Sequence, residues 1–395
     1  MLPVAPRWVA WIAAGMLAIV PVATPANTPS PSLSPEQYNE ALQLYHQLGD
    51  RSFKVREAAS GQIVRYGRAV EPILREGLNN PDPEIRSRCR RLLPLAMHYD
   101  LEKQIAAFLA DKDERNTTPL AGWARFKELV GKDEPAKDLF ISMHRFDTEF
   151  MEALEQKPAD LSLKLNARCQ EFMYQRNMGR NNITPAQLGL MLFAIQDPKV
   201  NLEPQAASFF SSGLFSLSYQ PQGKELMRDN PAIRKLLIQF VTNSNNHMMM
   251  FNNMYLIANL ELKEGVDIAK RIIQSSDRDP YTRAMAIGVL GKVGSKENIP
   301  DLLPFLDNKD SVGSMNVNNA QIHTQMRDVA LAGLVQLSGQ RLNDYNFAYL
   351  KMFANANVNI FMSPGMLGFS DDAGRDASIK KWKDWYEKEK GKGKK

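Results

Sequence analysis

The chain has 395 residues, 44% of them hydrophobic and 24% charged. That is the balance of an ordinary soluble protein, with apolar material for one large core or a series of small ones. The formal charge of +5 lies wholly in the tail, where residues 380–395 hold eight Lys against Asp384, Glu387 and Glu389. The rest of the chain is neutral, which excludes a nucleic-acid binder, since such a protein needs a basic face on its folded body.

Taken from the start, Arg7 precedes an apolar run from Trp8 to Ala23, interrupted by Pro21 and followed by the small residues Thr24, Pro25 and Ala26. These are the parts of a secretory signal peptide, assigned to residues 1–26. The run of sixteen residues is shorter than the ~20 a spanning helix needs. Membrane contact is therefore expected only through this segment, if it stays uncleaved as an anchor. An exported protein follows, periplasmic or extracellular. Residues 27–35 (NTPSPSLSP) are a Pro/Ser linker.

Gln37–Leu48 is an amphipathic helix, with Tyr38, Leu42, Tyr45 and Leu48 on one face. The stretch Asp50–Leu93 then holds two copies of one pattern. Val55-Arg56 with Ala59 recurs as Ile85-Arg86 with Cys89, thirty residues on, each copy preceded by an acidic turn at Asp50 or Pro81-Asp82-Pro83. Val55, Ala59, Ile63 and Val64 make an apolar stripe, Gly67 closes the helix, and Pro72 opens its partner. Glu84–Met97 and Leu101–Leu109 complete the second unit as two helices. Leu120–Val130 and Ala136–Met143 form a degenerate third. Helices follow at Phe146–Leu154, Leu161–Arg176, from Thr184-Pro185, at Ala232–Val241 and at Met248–Leu260.

The pattern returns near the C-terminus. Asp279-Pro280 leads into Arg283, Ala284 and Ala286, and a further copy starts at Arg327-Asp328-Val329-Ala330. The residues between, Asn308–Gln325, are rich in Asn, Ser and Gly and read as a loop inserted between repeats. Strand character is confined to Val358–Met362. Asn355–Phe369 carries Pro364, Gly365 and Gly368 and cannot be a regular helix. Ser370-Asp371-Asp372 then caps a last helix, with Ile379, Trp382, Trp385 and Tyr386 on one face, folded back over the final repeat.

VREAA, Gly67, AVEPIL and DPEIR together resemble the HEAT-repeat family, in the short-repeat variety of phycobilin-lyase-like proteins. The resemblance covers the two ends of the folded part. It implies an all-α fold: an α-solenoid of HEAT-like helix pairs, or armadillo-type superhelix, behind an N-terminal signal segment and closed by a C-terminal capping helix. The expected blocks are N-terminal repeats over 36–145, degenerate helical repeats over 146–275, C-terminal repeats over 276–354, a Pro/Gly loop and capping helix over 355–390, and a basic tail over 391–395. Arg56, Arg86, Arg283 and Arg327 hold equivalent repeat positions. The resemblance implies that they form a ladder between units, with Asp50, Asp82, Asp279 and Asp310 as acidic partners.

No catalytic, cofactor-binding or metal motif stands out: there is no GxSxG, no Gly-rich phosphate loop and no CxxC. His144 with Asp147 and Glu149 offers two groups on one helix face, at i and i+3, expected as a solvated face rather than a metal site because no further ligand is nearby in sequence. Cys89 and Cys169 sit on apolar helix faces and are expected as buried free thiols. The function expected is a non-catalytic scaffold for protein–protein interaction in the cell envelope. A chaperone or lyase-like accessory role is the alternative that the resemblance suggests, and an enzyme whose site assembles from distant residues is a third. The apolar residues of the Pro/Gly loop have two readings. They seal the last repeat with Trp382 and Trp385, or they dock a protein partner, with Phe361 and Met362 as anchors beside Met366 and Leu367.

Overall fold

The computed structural model describes residues 33–113, 115, 120–156, 158–178, 183–243, 247–275, 277–317, 320–352 and 360–392. The expected signal segment 1–26, linker residues 27–32, Val358-Asn359 and the last three residues of the basic tail lie outside them. The described residues are mostly helical, as expected of an all-α protein, with one small hairpin among them.

Helix α1 (Pro35–Gln47) begins at a reciprocal cap: the Ser34 hydroxyl accepts from the Gln37 N–H while the Gln37 side chain accepts from the Ser34 N–H. Helix α2 (Phe53–Ile63) runs into a 3-10 segment, Val64–Val70, where Gly67 takes φ 61° and turns the chain against the Asp100 side chain. Helices α3 (Glu71–Gly77) and α4 (Pro83–Ala110) follow. The two helices expected over Glu84–Leu109 are one continuous helix of 28 residues. Pro94 removes a single internal hydrogen bond, and His98-Tyr99-Asp100 offers no second breaker. Ala41, Leu44, Ala59, Ile63, Leu74, Cys89 and Leu92 fill a small core of their own. The main core starts at Leu101, further along the same helix, and reaches Trp382.

Helices α5 (Trp123–Val130), α6 (Glu134–Phe146), α7 (Thr148–Gln156), α8 (Pro158–Asn177), α9 (Pro185–Ile195), α10 (Pro204–Leu217), α11 (Pro221–Asp229), α12 (Pro231–Asn243), α13 (His247–Leu260), α14 (Gly265–Gln274) and α15 (Pro280–Val293) build the middle. Of these, α10, α11 and α14 escape the periodicity reading. A proline stands first in eight of the helices up to α15, where its missing N–H costs nothing. Packing follows two rows. Helices α8, α10, α13 and α15 lie each against the next, and α6, α9, α12 and α14 do the same. The rows meet where α14 packs on α15.

After the short α16 (Ile299–Leu302), the stretch expected as an inserted loop is an antiparallel hairpin, β1 (Ser311–Val317) and β2 (Ala320–Gln325), with Met315 opposite Ile322. Its alternation is real: Ile322 and Thr324 are buried, Gln321 and His323 exposed. Asn and Ser on the open positions hide that pattern in the composition. Helices α17 (Met326–Leu337), α18 (Ala348–Met352) and α19 (Asp372–Lys392) complete the chain. The described part of the expected strand, Ile360–Met362, is a 3-10 turn. True extended pairing occurs at Phe369 instead, whose N–H and carbonyl both bond His323 of β2, at 3.2 and 3.1 Å.

Candidate functional site

Three of the four repeat arginines bond backbone carbonyls, and the fourth bonds side chains. Arg56 is the fourth residue of α2, and its Nη1 donates to the carbonyls of Asp50 (2.7 Å) and Arg51 (3.1 Å). Arg86 is the fourth residue of α4, and its Nη1 donates to the carbonyls of Asn80 (2.6 Å) and Pro81 (2.7 Å). The sequence offsets are identical. Arg283, fourth in α15, bonds the Ile273 carbonyl through Nε at 3.2 Å and lies over the Phe305 ring. Arg327, second in α17, bonds Gln325 at 2.6 Å and reaches Asp376 and Asp372 on α19.

None of the four expected aspartate carboxylates accepts from its arginine among the described residues. Asp82 and Asp279 spend an oxygen on the N–H of Glu84 and Thr282, and Asp50 spends one on Ser52. Asp310 serves through its carbonyl, which takes the Met326 N–H. A helix start exposes unpaired N–H groups, and the carboxylate nearest in sequence satisfies them first. Units one and two are joined by glutamates instead. Arg56 meets Glu84 at 2.9 Å, and buried Arg88 bonds Glu57, Glu84 and the Ser60 hydroxyl.

The Pro/Gly loop is not open to a partner at its expected anchors. Phe361, Met362 and Leu367 are buried, and Met366 is half-buried. The Phe361 carbonyl rests on Gly288 of α15, where any Cβ would collide with it, and the Phe361 ring lies against Gly291. The Tyr255 hydroxyl donates to the Met362 carbonyl at 2.8 Å. Large apolar side chains gain most from leaving water, and this loop places them on glycines that admit close approach. Trp382, buried in α19, donates to the hydroxyl of Ser338 at the C-terminal end of α17 and stacks on Tyr386.

An open groove of about 560 Å³ lies between α2 and α4. Glu57, Ser60, Gly61 and Val64 line one side; Arg91, Leu92, Leu95, His98, Tyr99 and Glu102 line the other. Nothing stands within 4 Å of where a Cβ on Gly61 would lie, so this position widens the groove. Leu95 and Tyr99 are 48% and 42% exposed. Both carboxylates are already engaged. Glu57 accepts from Arg88 at 2.8 Å, and Glu102 accepts two bonds from Arg145, each 2.7 Å, which hold its carboxyl below the usual range. A carboxylate so stabilised is a poor general base. The groove offers apolar surface rimmed by fixed charges, which suits binding.

Three groups able to do covalent chemistry, Cys89, Cys169 and His144, are muted by burial. Desolvation pushes the thiols of Cys89 and Cys169 up to about 11 and about 12, so neither is a thiolate near neutrality. Desolvation also brings His144 down to about 4, despite its Nε2 bond to the Ala121 carbonyl at 3.0 Å. Among the described residues no group of three His, Cys, Asp or Glu could hold a metal ion, and no helix is long and apolar enough to cross a membrane.

The sequence reading missed the groove. Leu95, Tyr99 and Glu102 follow one face of α4 at helical spacing, a signal lost once that helix is divided near Met97. Neither a family model nor a curated protein matches the chain. The likeness to HEAT repeats rests on the quoted residues alone.

Proposed function

We propose that this protein is a non-catalytic, exported scaffold of HEAT-like helix pairs that holds a segment of a protein partner in the α2/α4 groove. The observation that carries the reading is the groove itself, with Leu95 and Tyr99 open to water while its carboxylates are spent on arginines. Apolar residues at the centre with polar groups at the rim are the anatomy of a protein-binding site. The two packed rows of helices support an α-solenoid, the architecture that presents such extended surfaces. Export rests on the composition of residues 1–26, and N-terminal sequencing of the purified envelope protein should begin at Asn27. A photo-crosslinking residue at Leu95 should trap a discrete partner in living cells, while one at exposed Lys296 should not. Equal trapping at both positions, or none at either, overturns the binding role of the groove.

A further inference from the structure

We propose that the exposed face of α8 pairs with the same face of a second copy of this chain, antiparallel about a two-fold axis, with Lys164 of each copy meeting Glu171 of the other. Helix α8 has a buried side, Leu161, Leu165 and Cys169, packed into its own core. The opposite side is unusual. Leu163, Tyr174 and Met178 are 72%, 58% and 59% exposed, with exposed Ala167 and Gln170 between them.

At 100° per residue the first four of these positions, spaced four, three and four, make one narrow stripe of α8 about 16 Å long, and Met178 follows in the turn just past the helix. That spacing is the seam of a two-helix coiled coil rather than the broad face of a core helix. Two large apolar side chains aligned on the helix, with a third just past its end, are more than scattered exposure, which needs no explanation.

The flanking charges select the occupant. Lys164 and Glu171 lie on the same flank of the stripe, seven residues apart, and both are exposed. Among the described residues neither makes an ion pair. In an antiparallel helix pair, equal flanks face each other, so a two-fold axis near residue 168 sets Lys164 against Glu171 of the partner subunit twice over. The same axis places Leu163 opposite the partner's Tyr174, and Ala167 opposite the partner's Gln170. A parallel pair would bring together unlike flanks and leave both charges without a counterpart. The surface is thus complementary to itself, the condition for a closed two-fold interface. One helix pair covers less than the roughly 800 Å² per partner of a standard interface, so association is reversible and concentration-dependent.

Sedimentation of the purified full chain over a concentration series tests this. The wild type should show a monomer–dimer equilibrium. Lys164→Glu or Glu171→Lys alone should each weaken it about tenfold, because two attractive rim pairs become repulsive. The double variant should recover dimerisation, and the two single variants mixed should form a heterodimer. All positions are exposed, so circular dichroism should be unchanged. This swap-and-rescue pattern separates the α8 face from association through any other segment. A chain that is monomeric throughout, or a dimer indifferent to the charge swaps and to Leu163→Glu, overturns the proposal.

Discussion

Arg375 of α19 donates its Nε–H to the carboxylate of Asp328 in α17 at 2.7 Å, and the two side chains are only 3% and 0% exposed. The second oxygen of Asp328 accepts the Gln325 N–H at 2.8 Å, and Arg375 Nη2 donates to the His323 carbonyl at 2.9 Å. One ion pair therefore ties the last helix to the start of α17 and to the hairpin. Removing one partner of a buried pair leaves a charge without compensation in a dry site, which costs about 3–5 kcal/mol. Arg375→Ala should lower urea-unfolding stability by that order. Trp382 fluorescence should then report loss of α19 packing before the global transition. An unchanged midpoint would show that water reaches Asp328 freely.

The repeat clamp gives a milder expectation. Arg86 donates to two carbonyls of the turn that opens α4, a partly buried site. Losing them should cost about 1–2 kcal/mol, the value of charged hydrogen bonds lost without a substitute. Arg86→Ala should therefore lower the melting midpoint. Asp82→Ala should act separately, through loss of the Glu84 N–H cap, by about 1 kcal/mol. A carboxylate ladder would instead make the two substitutions redundant, so additivity in the double variant distinguishes the geometries.

These arginines mark what was legible in the sequence. The arginines that follow an acidic turn mark helix beginnings at Phe53, Pro83 and Pro280; at the last two an Asp cap and a proline in first position punctuate the turn. The partner of each arginine was not legible. A nearby Asp reads as an ion-pair partner, yet its oxygen is consumed by helix N–H groups that no sequence pattern displays. The hairpin was hidden by polar residues on its open face. Phe361 and Met362 gave the opposite difficulty: an apolar loop reads equally as a seal or as an anchor, and only the glycines at 288 and 291, in a helix seventy residues away, admit its close packing. The groove needed α4 whole, with Leu95 and Tyr99 past an internal proline.

Gly288 supplies a sharp test of that packing. A methyl group at this position collides with the Phe361 backbone carbonyl, which the Tyr255–Met362 bond prevents from drifting. Gly288→Ala normally favours a helix, by about 1 kcal/mol. Here overpacking should outweigh that gain, giving a net loss of about 1–3 kcal/mol. Gly61→Ala, where nothing lies within 4 Å, should be neutral or stabilising. A raised melting midpoint for both variants would mean that the loop does not rest on α15.

His144 fixes an expected pH dependence. Its ring is buried beside Phe140, and desolvation lowers it from 6.5 to about 4. In the unfolded chain the imidazole takes up a proton near pH 6.5, whereas the folded state refuses it until about 4. The unfolded state therefore binds more protons across that window, and stability rises with pH there. The contribution is complete above pH 6.5 and is lost as the medium is acidified toward 4, amounting to roughly 3 kcal/mol. Unfolding measured at stepped pH should show this slope in the wild type and a flatter one in His144→Phe, which keeps the aromatic contact and removes the titration. Phe also forfeits the bond to Ala121, so the variant starts lower at neutral pH and the two curves should converge on acidification. Parallel curves over pH 4–6.5 would show that His144 is protonated in the folded protein, with water or a carboxylate reaching its ring.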